Sequence, residues 1–517
     1  MTSETSTRFA WSLDAHRAAA QLRSMRAVGL FRAGARLTCA GGFTIAAAVA
    51  LSSCSDRPVV APVRIIHPSG PLPAAARYLV ELDGAGPLPS SLAAHIASAG
   101  GVVLRTHAGV GLAVVAQLSA EAATALQREP GVRLVIPDYP MGRLHDPVMR
   151  LASATGAAPR RSLVSLRGDP RTAQFYGSQW NMPRIRADSA WQVSTQGSGI
   201  TVFILDTGID TAHIDLAGRV DIGRSASFAY ASADTLMQHP LPFSHDVVGH
   251  GSFVASIITS NSLGIAAVAP QARVAMVRVL DDSGQGSAVN VFLGLLYAAD
   301  SNAAIINMSL GGYLPRDQAG YVGFADYYQR IVDYAAQRGA LLVAAAGNDA
   351  LNTTTGYAPS GSFLDSLDTP AELHHVLSVG ATGPVNQANF DAIAVYSNYG
   401  TTGVGVFAPG GNAASGGVNA DLVYGVCSSA AINPGTGTAF CPDEAHYLIG
   451  AGTSFASPHA AGEAAVVMAQ RNQAISGSAL ETCVLQSAAN ITGHRPDPDY
   501  NFGRIDVLSA LNNSHCK

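Results

Sequence analysis

"GITVFILDTGID", Gly199 to Asp210, is an apolar, β-branched run that ends on an aspartate and a Thr-Gly turn. In an open α/β sheet, ligands and reactive groups gather at the carboxyl ends of the strands, and Asp206 stands at such an end. Alone it decides little, since an aspartate after a strand is commonly a turn former. The pattern recurs outward in "VAMVRVL", "AAIINMSL" and "ALLVAAAGN", with helix-like segments such as Ala288 to Ser301 and Tyr327 to Gln337 among them. From Gln174 onward that rhythm predicts an α/β domain with a mostly parallel sheet and helices on both faces.

Composition agrees with a packed molecule. Of 517 residues, 48% are hydrophobic and 13% charged, which suits a compact core better than a disordered chain. A net charge of -5 without a dense Lys/Arg stripe argues against a nucleic-acid partner.

At the N-terminus, Arg23, Arg26, Arg32 and Arg36 precede "LTCAGGFTIAAAVALSSC", Leu37 to Cys54, an uncharged stretch ending in small residues. It falls short of the ~20 apolar residues that a spanning helix needs, so residues 1–54 read as a secretory signal. "LSSC" also resembles a bacterial lipobox, in which Cys54 would carry lipid and attach the mature chain to a membrane. On either reading the protein is expected to be secreted or held in the cell envelope of a bacterium. Residues 55–76, rich in proline, read as a tether. Over 77–144, "RYLVEL", "PSSLAAHIASAG", "GVVLRTHAGVGLAVVAQL", "SAEAATALQREPG" and "VRLVIPD" read in turn as strand, helix, hairpin, helix and strand. That βαββαβ order is the ferredoxin-like split βαβ arrangement. Residues 145–173, turn-rich with an arginine pair at Arg160 and Arg161, read as a cleavable linker before a domain over 174–517.

Three further positions join Asp206. His250 lies in "DVVGHGSFVAS" behind Gly249 at a helix start, where a lone histidine is more often structural. Asn348 ends "LLVAAAGN", an ordinary place for a turn residue and also a place from which an amide can face an oxyanion. Ser454 opens the alanine-rich helix of "GTSFASPHAAG", where simple capping would explain a serine. Each bland account is respectable alone, but the four patterns together, in the order Asp, His, Asn, Ser, are hard to obtain by chance. "DTGID", "GHGSFVA", "AAAGN" and "GTSFASPHAAG" resemble the motifs of the subtilisin-like serine proteases, or subtilases.

The resemblance implies a subtilisin-like three-layer sandwich from about Gln174 on, with the family's inhibitory propeptide over 77–144. It implies a serine endopeptidase, made as a zymogen, with Asp206, His250 and Ser454 as its triad, Asn348 in the oxyanion hole, and no cofactor in catalysis. Ser309, Leu310 and Gly311 of "NMSLGG" would pair with extended protein or peptide substrates, and the chain's own propeptide would fill that groove until it is cut. Asp215 and Asn261 match positions that bind a stabilising calcium in many subtilases, although calcium asks for about six to eight oxygens and only two side chains are identified.

Departures from the family pattern carry their own expectations. Ser252 and Phe253 stand where most members have Thr-His, and Phe455 where methionine is usual, so the enlarged apolar groups are expected to alter substrate walls. Pro458 is expected to bend or loosen its helix. Asn352 to Thr369 and Asn412 to His446 read as inserted loops. In an oxidising compartment Cys427, Cys441, Cys483 and Cys516 make two disulfides, Cys427–Cys441 with Cys483–Cys516 being the most local pairing. A subtilase fold that binds proteins without cutting them is the competing reading, and the filled triad positions count against it.

Overall fold

Thr201–Asp206 forms the strand that the opening stretch predicts, and all of it but Thr201 is buried. The computed structural model describes residues 77–152, 169–231, 234–315, 319–356, 366–433, 437–441 and 445–516. These belong to one compact unit, Val59–Lys517. The signal segment 1–54, the tether 55–76, Cys54 and the arginine pair of the linker lie outside the described residues. Among the described residues no helix is long and apolar enough to cross a membrane.

The strand sits inside a seven-stranded sheet of order Val406–Pro409, Val376–Thr382, Leu341–Ala345, Ile305–Met308, Thr201–Asp206, Arg273–Arg278, Ala226–Ser227. Every pairing in it is parallel. Alternate residues enter different cores, as the two-residue period of a strand requires. Phe203, Leu205, Ile306 and Leu342 pack with Phe292, Tyr328 and Ile331 of the helices Ala288–Asp300 and Ala319–Gln337. Val202, Ile204, Val343 and Val379 pack with Ile257, Ala460 and Ala464 of the helices His250–Ile258 and Thr453–Gln470. Three layers result, as expected. Leaving Thr201–Asp206, the chain builds Arg273–Arg278 on one side and then Ile305–Met308 on the other. The strand order therefore reverses at the end that carries Asp206, where α/β sheets open a crevice.

Ahead of this sheet, the βαββαβ reading holds. Tyr78–Leu82, Val102–His107, Leu112–Ala116 and Val132–Pro137 form an antiparallel sheet with Leu112–Ala116 and Tyr78–Leu82 in the middle, and the helices are Ser90–Ser98 and Ala120–Leu126. Ser119 caps the second helix by accepting the Ala122 N–H at 3.1 Å. Leu112–Ala116 is buried throughout because its faces serve two cores. Ala113 and Val115 pack with Leu92, Ile96 and Leu126 of the same small unit. Leu112 and Val114 pack in the core of Phe292, Phe324, Tyr327 and Tyr328.

The supposed linker departs from expectation. Pro140–Arg143 is a strand running antiparallel between Gln285–Ser287 and Leu310–Pro315, with Gly142 opposite Gly311 and Arg143 opposite Leu310. Val148–Leu151 pairs antiparallel with Tyr447–Ala451. The chain thus continues past 144 in paired form as far as Leu151, because the free edges on either side of the crevice offer it backbone partners. Both expected disulfides are present, closing sequence separations of 14 and 33 residues. Cross-links of that span stabilise by about 3 to 4 kcal/mol each in a chain-entropy picture.

Candidate active site

Asp206, at its strand end, places Oδ1 2.7 Å from His250 Nδ1, and neither side chain is exposed. The Thr207 N–H donates to the same oxygen at 2.7 Å, fixing the carboxylate. Gly249, with φ of 80°, turns the chain so that His250 begins the helix His250–Ile258. Gly251 lets that helix approach: a Cβ there would lie 2.1 Å from Gly208 O and 3.2 Å from Asp206 Cβ.

Asp246 is a site residue that the sequence reading passed over. Its buried carboxylate accepts the N–H groups of Gly249 at 2.9 Å and Ser252 at 2.8 Å, and the hydroxyls of Thr207 and Ser252 at 2.8 and 2.7 Å. Thr207 Oγ1 in turn accepts the Gly251 N–H at 3.0 Å. One carboxylate thereby locks the start of the histidine's helix to the aspartate's strand. Burial raises its pKa, and the four donors oppose the shift. The readable signal was an aspartate a few residues ahead of a helix start, where carboxylates satisfy free N–H groups.

Phe253 and Phe455 pack together beside the imidazole. Both are fully buried, their rings stacked with centroids 4.1 Å apart, and Phe455 lies 5.7 Å from the His250 ring. They support the imidazole from the core side. Ser252, in place of threonine, keeps the hydroxyl that its position uses.

Ser454 is the second residue of the helix Thr453–Gln470, and its Oγ is buried without a hydrogen-bond partner. Pro458 neither ends nor interrupts this helix. Its missing N–H would have bonded Ser454 O, and the Ser309 hydroxyl donates to that carbonyl at 2.8 Å instead. Ser309 therefore contributes a buried side chain as well as backbone. His459 on the same helix is structural: it contacts Phe455 O and Asn181, and burial pushes its pKa down to about 4.

Asn348 follows the strand Leu341–Ala345. Its Oδ1 accepts from Thr453 N at 2.9 Å and Thr453 Oγ1 at 2.7 Å, so its Nδ2 must point into the groove. There it donates to His145 O at 3.2 Å and lies 3.4 Å from Asp146 Oδ1. Asp146 Oδ2 reaches His250 Nε2 at 3.2 Å, and Gly452 has no Cβ to block it, since one would fall 2.2 Å from Asp146 Oδ1. Burial alone would lower the pKa of His250, but Asp206 on one nitrogen and Asp146 on the other outweigh it and push it up to about 10. The imidazole lies between two carboxylates, bonded to Asp206 at Nδ1 and close to Asp146 at Nε2 without hydrogen-bond alignment there.

Asp215 and Asn261 do not fit calcium. Asp215 is ringed by proton donors: the N–H groups of Leu263, Gly264 and Ile265 at 2.7, 2.9 and 3.1 Å, and the Tyr447 hydroxyl at 2.8 Å. Asn261 gives its oxygen to Arg219 Nε at 2.9 Å and its amide protons to Ile214 O and Ala217 O, both at 2.9 Å. Calcium needs converging oxygens, and here the positive charge is the guanidinium of Arg219. The loop 263–265 brings its own backbone N–H groups onto the carboxylate, where a metal would need free oxygens.

Fold and groove together are those of an α/β serine hydrolase that receives an extended chain. Residues 197–504 match the family model described as the Subtilase family, peptidase S8. The chain is 32% identical to thermitase of Thermoactinomyces vulgaris over 345 residues, which is 66% of this chain and 99% of that one. It is 33% identical to a thermophilic serine proteinase of a Bacillus species, over 66% of this chain and 69% of the relative. In fold it is similar to the epidermin leader peptide processing serine protease of Staphylococcus aureus, with a TM-score of 0.65 at 19% identity, covering 85% of this chain and 98% of the other. The chain belongs to the subtilase family and is a serine protease.

Proposed function

We propose that this protein is an exported serine endopeptidase made as a zymogen, with Asp206, His250 and Ser454 as its catalytic triad. The observation that carries the reading is the 2.7 Å contact of Asp206 with His250 Nδ1, beside an Asn348 amide whose oxygen is tied to Thr453. With Nδ1–H committed to Asp206, Nε2 of the neutral imidazole accepts the Ser454 proton as Oγ attacks the peptide carbonyl. Negative charge then develops on the carbonyl oxygen, where Asn348 Nδ2 and the Ser454 backbone N–H stabilise it. The protonated His250 delivers its proton to the leaving amine, and an acyl-enzyme remains for water to hydrolyse.

The zymogen keeps this machinery idle through its own chain. Asp146 lies against His250 Nε2, the atom that must receive the Ser454 proton, and favours its protonated form, which slows self-cleavage without abolishing it. Leu310 and Gly311 pair with Arg143 and Gly142 of this segment in the manner they would engage substrate, with Ser309 next to them. Export rests on the segment Leu37 to Cys54, with lipidation at Cys54 as the alternative ending.

The test compares the chain from Arg57 onward with its Ser454→Ala variant, following both by intact mass with casein present. Loss of the N-terminal unit and digestion of casein by wild type alone supports the reading, and the observed mass gives the junction. Intact casein after another protease has removed the N-terminal unit would refute it.

A further inference from the structure

Leu144, buried at 8% exposure, packs against Gly311, and Asp368 stands between Gly311 and a second groove glycine, Gly347. The point where Gly311 would carry a Cβ is 3.0 Å from Leu144 Cδ2 and 3.3 Å from Asp368 Oδ1, and the corresponding point at Gly347 is 2.6 Å from Asp368 Oδ2. Asp368 is 2% exposed, and its Oδ1 has no hydrogen-bond partner. Its Oδ2 has one distant donor, Asn398 Nδ2 at 3.5 Å. Burial first, then the carboxylates of Glu372 and Asp349, push its pKa well above the ordinary carboxylate range, and among the described residues no cation pairs with it. Asp349 bonds the Tyr313 hydroxyl, and Asn398 spends its amide on Ala346 O at 2.8 Å and on Tyr313 at 3.1 Å.

A buried carboxylate oxygen without a donor, facing a substrate pocket, is costly unless the substrate completes it. We infer that the pocket now filled by Leu144 selects arginine or lysine side chains of the substrate, which pair with Asp368. The inference rests on the protease reading for its catalytic consequence. An arginine placed like Leu144 carries its Nε one bond beyond the δ carbon and its terminal nitrogens three bonds beyond, long enough to pass Gly311 toward Oδ1, which lies on the other side of the same glycine's Cβ point. Its fork also serves both oxygens. An apolar tenant fills the space and leaves Asp368 Oδ1 without a partner, which favours the neutral carboxyl. The zymogen's own segment, with leucine there, therefore occupies the groove as a poor substrate.

Two measurements test this. The first needs no catalysis: in the full-length Ser454→Ala chain, Leu144→Arg should raise the thermal midpoint, and the gain should vanish or reverse once Asp368→Asn is added. An equal effect in both backgrounds would overturn the pairing whether or not the protein is a protease. The second uses self-processed enzyme and peptides differing only at the residue that enters this pocket, with cuts mapped by mass. Wild type should favour Arg or Lys over Leu in kcat/KM by at least about tenfold, and in Asp368→Asn the ratio of the Arg rate to the Leu rate should fall toward one. Equal rates on Arg and Leu peptides would overturn the specificity assignment. Absence of cutting alongside the coupled midpoint shift would remove the protease reading and keep the cation pocket.

Discussion

At the residue scale, the site turns on which groups hold His250. Asp206 fixes Nδ1 as a triad requires, whereas Asp146 on Nε2 belongs to the groove segment. A histidine whose folded pKa is raised to about 10 contributes pairing energy in full below its ordinary value near 6.5. That contribution fades as pH climbs through the folded value. In uncleaved Ser454→Ala protein, an imidazole carbon titration should place His250 near pH 10, and Asp146→Asn should bring the midpoint down. A midpoint unmoved by that change would place Asp146 away from the imidazole in solution. Asn348 makes a separate claim. Removing its amide should lower kcat by ~10²–10³ with little change in KM, a magnitude taken from a subtilisin, because the amide meets charge that exists only in the transition state. Steady-state kinetics of Asn348→Ala on a processed enzyme read this directly, and a loss confined to KM would contradict it.

At the element scale, the sequence was legible wherever local pattern and backbone demand coincide. The apolar runs gave the parallel strands, Ser119 announced its helix, and the glycines of "GHG" and "GTS" stand where helix and strand close on each other. What escaped depended on contacts between distant segments. Pro458 reads as a helix breaker until Ser309, 145 residues away from Ser454, is seen to satisfy the freed carbonyl. Phe253 and Phe455 read as wall residues, and their stacking beside His250 shows only in the fold. Asp215 and Asn261 read as calcium ligands because a sequence does not reveal whether an oxygen meets cations or N–H donors. The loop they brace should accordingly stand without metal: the thermal midpoint should be the same in EDTA and in millimolar calcium. Tyr447→Phe, which withdraws one donor from a buried carboxylate, should cost about 1 to 3 kcal/mol by denaturant titration. A calcium-dependent rise of several degrees would restore the metal.

At the scale of the whole molecule, the N-terminal unit and the catalytic domain share a strand. Leu112–Ala116 directs Ala113 and Val115 into the small unit's own core and Leu112 and Val114 into the core around Phe324, Tyr327 and Tyr328. A unit this small is only marginally stable by its own core, so the packing of Leu112 and Val114 against the larger core adds to its stability. The alternation separates the two roles at adjacent positions. Val115→Asp places a charge in the small unit's core and should unfold it wherever it is, by loss of far-ultraviolet ellipticity in the isolated segment mixed with processed enzyme. Val114→Asp leaves that core intact and places the charge against the aromatic face of the helix Ala319–Gln337. It should weaken inhibition in trans by at least about a hundredfold, the effect of roughly 3 kcal/mol, and in the full chain it should hasten self-processing. Equal inhibition by Val114→Asp and wild-type segments would mean that Pro140–Leu151 alone, by its strand pairing in the groove, does the holding. The aromatic face would then serve folding only.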